Sequence, residues 1–264
     1  MQNFDMPKPF CAPTLMLVHG SWHDGRCWSG VQEQLAAAGV HSIAPTLPRY
    51  GAGADRLEAS HADYVTSVIA ALDEFAGPVV LVGHSFGGSV VSRVAELRPE
   101  RCQGLVYYSA FVPRDGDRIA DSLPTRFIEF LDEAAAASAD RMVTLPDGLL
   151  REAFANTADH DTLERIRSFL VPEPYAPIFE TLSLPGFASL EIPAAYISCQ
   201  DDRALSPGAF HPGQSSRLRA PKLIEIQGDH ESLLTAPGRL AAALLEALDA
   251  LDCNASRPAP VARS

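Results

Sequence analysis

The chain has 264 residues, 47% of them hydrophobic and 20% charged, which fits one large globular domain with a sizeable core. With 33 acidic against 21 basic residues, its net charge of −12 argues against nucleic acid or an anionic membrane surface as a partner. No hydrophobic stretch is long enough to cross a bilayer, and residues 1–13 lack the basic start and continuous apolar core of a secretion signal.

Apolar, strand-like runs alternate with helix-period patterns from the start. Thr14-Leu15-Met16-Leu17-Val18 predicts a buried strand, and Trp28 to Ala38 the helix after it. His41 to Ala44 predicts a second strand. The following helix, His61 to Phe75, has Tyr64, Val65, Val68, Ile69, Leu72 and Phe75 on one face. Pro78 to Val82 reads as a strand, and a helix after it carries Val90, Val91, Val94 and Leu97 on one face. Leu105 to Tyr108 reads as the next strand. Strands that alternate with helices, and are apolar on both faces, imply a parallel sheet covered on both sides. The pattern breaks at Pro113 and resumes with strands at Ala194 to Ser198 and Lys222 to Ile226, then a last helix from Pro237 to Leu251. Residues 113–192 are too long for an ordinary connection. They are expected to form a helical cap inserted into a core of residues 1–112 and 193–253, with 254–264 a disordered tail. Five scattered cysteines (Cys11, Cys27, Cys102, Cys199, Cys253) show no paired spacing and no Cys-x-x-Cys, so a reducing, cytoplasmic setting is expected.

The stretch Val82-Gly83-His84-Ser85-Phe86-Gly87-Gly88 carries the most chemical information. A Gly-x-Ser-x-Gly between a strand and a helix holds its serine on a strained turn, with the hydroxyl exposed above the sheet edge near the positive end of the helix. A Cβ at either flanking glycine would collide with the neighbouring elements. The bland alternative, a phosphate-cradling turn, lacks the Lys-Ser/Thr ending of such loops. Ser85 is therefore the candidate nucleophile. A serine hydroxyl needs a base, and eight histidines compete. His230, in Gly228-Asp229-His230 just past the last expected strand, lies at the carboxyl edge of the sheet, where Ser85 also emerges. His84 reads as a packing residue, and His41, His61, His160 and His211 as surface residues. The base needs an acid to fix its tautomer. Asp201 and Asp202 both follow the strand that ends near Ser198, and Asp115 and Asp117 are further alternatives. Two backbone N–H groups must face the oxyanion. Phe86, directly after the nucleophile, and Ser21, after the turn at Gly20, are the candidates.

These residues carry a resemblance. Val18-His19-Gly20-Ser21-Trp22-His23-Asp24-Gly25-Arg26-Cys27-Trp28, Gly83-His84-Ser85-Phe86-Gly87-Gly88, Ser198-Cys199-Gln200-Asp201-Asp202-Arg203-Ala204-Leu205 and Gly228-Asp229-His230 resemble the α/β-hydrolases. Within that superfamily the nearest likeness is to plant methylesterases and hydroxynitrile lyases with their bacterial esterase relatives. The likeness includes Leu170-Val171-Pro172 and fades through most of the expected cap. It implies an α/β-hydrolase fold, a mostly parallel sheet of about six strands with helices on both faces and an inserted helical cap. It implies Asp202 as the acid, because a basic residue and a small-aliphatic pair follow the acid in that family. It also implies a cofactor-free serine hydrolase, with no metal, acting on a small to medium carboxylic ester such as a methyl ester or lactone. Substrate-pocket candidates are His19, Gly20, Trp22, Phe111, Phe127, Phe130, Phe154 and Leu170. The lyases resemble one another in a Lys directly after the catalytic His and a Thr after the oxyanion-loop His. Here Glu231 and Gly20 stand at those positions, which favours ester hydrolysis. A lyase, a cofactor-independent oxygenase or a non-catalytic hydrolase-like receptor remains the alternative, and a homodimer is left open.

Overall fold

The computed structural model describes residues 13–48, 59–77, 79–208 and 210–251. Among them the strands are β1 (Thr14–Val18), β2 (Ser42–Ile43), β3 (Val79–His84), β4 (Cys102–Tyr108), β5 (Met142–Val143), β6 (Glu173–Pro174), β7 (Ala194–Cys199) and β8 (Lys222–Ile226). Six of them form one sheet in the order β2-β1-β3-β4-β7-β8, with every neighbouring pair parallel. The helices are α1 (Ser29–Ala37), α2 (His61–Asp73), α3 (Gly87–Leu97), α4 (Thr125–Ala137), α5 (Asp147–Leu149), α6 (His160–Arg167), α7 (Ala176–Phe179), α8 (Phe210–Ser215), α9 (Ser232–Thr235) and α10 (Pro237–Ala250). A π-helical turn, Leu150–Phe154, continues α5.

The strand order dictates where the helices go. From β1 the chain steps outward to β2, then recrosses β1 to reach β3 and continues the other way to β4. Parallel crossovers are right-handed, so α1 covers one face and α2 and α3 the other. Consistently, α1 packs on α10, and α2 on α3. Both faces being covered, β3 is buried at every position, as its continuous apolar run requires. The reversal between β1 and β3 opens a crevice at their carboxyl ends, the place where such sheets bind ligands.

Most expected elements lie within a residue or two of their predicted ends. In α2, Tyr64, Val65, Val68 and Leu72 are buried, and a capping box between Ser60 and Asp63 starts the helix. In α3, Val90, Val91 and Val94 are buried as expected, but Leu97, in the last turn, is 39% exposed. The segment between β4 and β7 holds α4 to α7, as its helical reading anticipated. It also holds the antiparallel pair β5–β6, which two residues per strand could not announce by alternation. Pro78, the first residue of the expected third strand, and the tail 254–264 lie outside the described residues.

Candidate active site

Ser85 occupies the turn between β3 and α3 with φ +51°, the left-handed region that an L side chain enters at a cost of about 1–3 kcal/mol. Neighbouring strands hold it there. The Ser85 N–H donates to the Tyr108 carbonyl (3.3 Å), and the Ser85 carbonyl accepts from the Gly88 and Phe111 N–H groups (3.1 Å each). A Cβ at Gly83 would lie 2.8 Å from the Gly87 oxygen, and one at Gly87 would lie 2.6 Å from the Val18 and His19 oxygens. The glycine spacing is thus enforced by contact. On the other side Gly20 packs so closely that a Cβ there would sit 2.7 Å from the Ser85 Cβ.

His230 follows β8 on the same edge, and its Nδ1 lies 2.9 Å from Asp202 Oδ2. The other Asp202 oxygen accepts the Leu205 N–H at 2.8 Å, closing a turn over the Asp-Arg-Ala-Leu stretch. Burial alone would push the Asp202 carboxyl up, but the charge and hydrogen bond of His230, the nearby His211 ring and the Leu205 amide hold it well below the usual range. For His230, burial works against the charged ring, and the Asp202 carboxylate outweighs it, so the imidazole pKa is raised. Asp201 is exposed and turns its Oδ2 to the Gly228 N–H instead. Asp115 accepts from Leu184 N–H and Asp117 pairs with Arg217, so neither faces His230.

The loop after β1 is pinned at several points. Trp22 has φ +59°. Its backbone N–H donates to Glu173 Oε2 (2.8 Å) and its indole N–H to the Val143 carbonyl (3.0 Å). The N–H groups of Ser21 and Phe86 have no protein acceptor among the described residues, which leaves both able to serve a ligand.

Ser21, Ser85 and His230 line one cavity of about 410 Å³. Of the predicted pocket residues, Trp22, Phe111, Phe127, Phe130 and Phe154 line it too, with Phe154 edge-on to His230 at 5.2 Å. His19, Gly20 and Leu170 do not. His19 is fully buried beneath the loop, where it contacts the Gly20 carbonyl and accepts the Leu47 N–H, and burial lowers its pKa to about 4. Gly20 is spent on the close approach to Ser85, and Leu170 packs against the core. Glu231, although it follows His230, does not line the cavity either.

His84 is a packing residue as read. It stacks on Tyr108 at 4.7 Å and approaches the His230 carbonyl at 3.2 Å. Two histidines expected at the surface are buried. His61 contacts Ser89 and packs its ring on Phe86. His211 stands 3.4 Å from the same Asp202 oxygen that faces His230, and its other nitrogen contacts the Tyr196 hydroxyl. The polar context of both misled the reading, since polar sequence neighbours do not reveal a polar interior partner. Among the described residues, no group of three or more His, Cys, Asp or Glu could hold a metal ion.

The chain belongs to the α/β hydrolase family, whose model matches residues 15–243. It is similar to the carbendazim hydrolyzing esterase of a Nocardioides species, 28% identical over 86% of this chain and 96% of that protein. Likeness to the salicylic acid-binding protein 2 of Nicotiana tabacum is 27% over 88% and 95%. A solved extracellular α/β-hydrolase from a Paenibacillus species superimposes with a TM-score of 0.84, at 33% identity over 89% of this chain and 98% of that one.

Proposed function

We propose that this protein is a cofactor-free carboxylic ester hydrolase in which Ser85, His230 and Asp202 form the catalytic triad. The supporting observation is that Ser85 and His230 open on one apolar-walled cavity while the far nitrogen of His230 is held by the buried Asp202. With Nδ1–H donating to Asp202, Nε2 is left as the acceptor for the Ser85 proton. Ser85 Oγ attacks the ester carbonyl, and the negative charge moves to the carbonyl oxygen, opposite the Ser21 and Phe86 N–H groups. His230 then protonates the leaving alcohol. Water, deprotonated by the same ring, releases the acid from the acyl-enzyme.

Aromatic walls from Trp22, Phe111, Phe127, Phe130 and Phe154 suit a small to medium ester with an apolar or aromatic body. In this reading residues 113–192 act as a cap, since Phe127, Phe130 and Phe154 reach the cavity from that segment. A cytoplasmic location is part of the reading. Cys27, Cys102 and Cys199 are free thiols, although the Paenibacillus relative is extracellular. Among the described residues no helix is long and apolar enough to cross a membrane.

The test combines fluorophosphonate labelling with turnover of p-nitrophenyl and methyl esters, beside mandelonitrile and acetone cyanohydrin. The expected outcome is labelling at Ser85 and ester turnover that Ser85→Ala lowers by several orders of magnitude. Cyanide release faster than hydrolysis of every ester, or a Ser85→Ala chain as active as the parent, refutes the reading.

A further inference from the structure

Behind the loop that carries Ser21, two ionisable side chains meet out of reach of solvent, and the reaction above uses neither. His23 and Glu231 are each 1% exposed, with Nε2 and Oε2 3.3 Å apart. His23 Nδ1 lies 2.8 Å from the Ser21 carbonyl oxygen. A carbonyl only accepts, so Nδ1 carries a proton and donates. Nε2 is then turned to Glu231 Oε2 across a close polar contact. Burial pushes the Glu231 carboxyl above its usual range despite the opposing pull of His23 and His230.

The pair connects two segments that must keep register during the reaction. The Ser21–Trp22 peptide is gripped at both ends, its carbonyl by His23 and its N–H by Glu173. That grip holds Trp22 at a positive φ which it would otherwise leave. Glu231 is the residue after His230, and its own N–H donates to the Phe154 carbonyl at 3.2 Å. One buried contact therefore joins the loop of the oxyanion donor to the loop of the base. Neither side chain lines the cavity.

We propose that His23 and Glu231 are positioning residues for ester cleavage: they fix the Ser21–Trp22 peptide and through it the orientation of Ser21, whose own N–H, on the adjoining Gly20–Ser21 peptide, stays aimed at the oxyanion, and they tie that loop to the segment bearing His230. The inference rests on the roles given above to Ser85 and Ser21.

The experiment compares Glu231→Met with Glu231→Gln. Methionine has a similar length and no donor, whereas glutamine offers a neutral N–H₂ to His23 Nε2. Glu231→Met should lower kcat on p-nitrophenyl acetate by about 10- to 100-fold, the scale of a sub-ångström to ångström misplacement, with KM within about twofold. Its rate of fluorophosphonate inactivation should fall in parallel, because the phosphonyl oxygen needs the same two N–H groups. Glu231→Gln should restore most of the lost kcat. Because Glu231 acts on the Ser21 carbonyl through His23, His23→Leu combined with Glu231→Met should lose less than the product of the two single losses. A folded Glu231→Met chain with the parent's kcat overturns the proposal. So do equal losses in the Met and Gln variants that track Tm, or losses in the double variant that simply multiply. A parent chain that fluorophosphonate does not label at Ser85 overturns the underlying assignment instead, and with it this one.

Discussion

Replacing Asp202 by Asn should cost about 10⁴ in rate although it exchanges one oxygen for an NH₂. Asp202 is 1% exposed; Oδ1 faces the Leu205 N–H at 2.8 Å, and Oδ2 faces the His230 ring at 2.9 Å with His211 Nε2 further off at 3.4 Å. Asparagine has a single oxygen. The Leu205 amide is a fixed donor, so the oxygen must stay on it, and the new NH₂ turns toward His230 Nδ1. That nitrogen must then accept, which moves the ring proton to Nε2, the atom needed to take the Ser85 proton. A wrong tautomer of this kind costs on the order of 10⁴ in rate, or about 5.5 kcal/mol at 1.36 kcal/mol per factor of ten. Asp201→Asn is the matched control. Its carboxylate is exposed and bonds to the Gly228 N–H, so about a twofold effect is expected, the scale of a surface substitution. Steady-state turnover of p-nitrophenyl acetate by both variants, with Tm to confirm folding, decides the matter. An Asp202→Asn chain keeping more than about a tenth of the activity, or an Asp201→Asn chain hit harder, refutes the tautomer argument.

Because His230 must be neutral to act and Asp202 raises its pKa, kcat/KM should fall as pH drops through a value above 6.5; an acid limb centred below 6.5 counts against the pairing. Folding stability should also decline on acidification. His19 and His61 stay neutral in the folded chain down to about 4, while the unfolded chain protonates them below 6.5. The unfolded state thus binds more protons between those values, and each histidine removes up to about 3 kcal/mol as pH falls through the window. Urea midpoints at pH 7 and pH 4.5 measure this, and equal midpoints contradict it. Gly20→Ala places a Cβ 2.7 Å from that of Ser85 and 3.1 Å from the His84 oxygen, forcing the Ser21 loop away from the nucleophile. A loss of at least about tenfold in kcat is expected, and unchanged kcat would show that the loop position is not critical.

The parts of the site legible in the sequence were those whose chemistry follows from local order. Ser85 could be found because strand, turn and helix each leave their own pattern within a few residues of it. His230 and Asp202 could be placed at the ends of strands, and strand ends in a parallel sheet share an edge. The residues after the acid are tied to it by a turn, in which the Leu205 N–H returns to Asp202 Oδ1. What escaped the sequence depends on distant partners. His211 meets Asp202 from α8, and His61 meets Ser89 across 28 positions. Glu173 binds the Trp22 N–H across 151 positions, from a two-residue strand with no periodicity to read. Leu170 failed as a pocket residue for a similar reason. Its segment does reach the site, but through the Val171 N–H to the Trp22 carbonyl rather than through the leucine side chain.

The two departures from the lyase pattern act differently once they are placed in space. A threonine at position 20 would need a Cβ 2.7 Å from the Ser85 Cβ, too close without moving the loop, so the loop geometry itself opposes that hydroxyl. The case at Glu231 changes in kind. Charge reversal beside a developing anion predicts repulsion, yet this carboxyl is turned to His23 and does not line the cavity. What matters is that, among the described residues, no Lys or Arg takes its place beside His230. The arginines that reach the cavity, Arg126 and Arg203, are exposed, where water screens them. Among the described residues a departing cyanide would therefore lack a buried Lys or Arg, whereas the carbonyl oxygen of an ester bound as proposed would meet two N–H groups with no competing protein acceptor. Preorganised donors aimed at one developing charge and none at the other tilt the same serine and histidine toward hydrolysis.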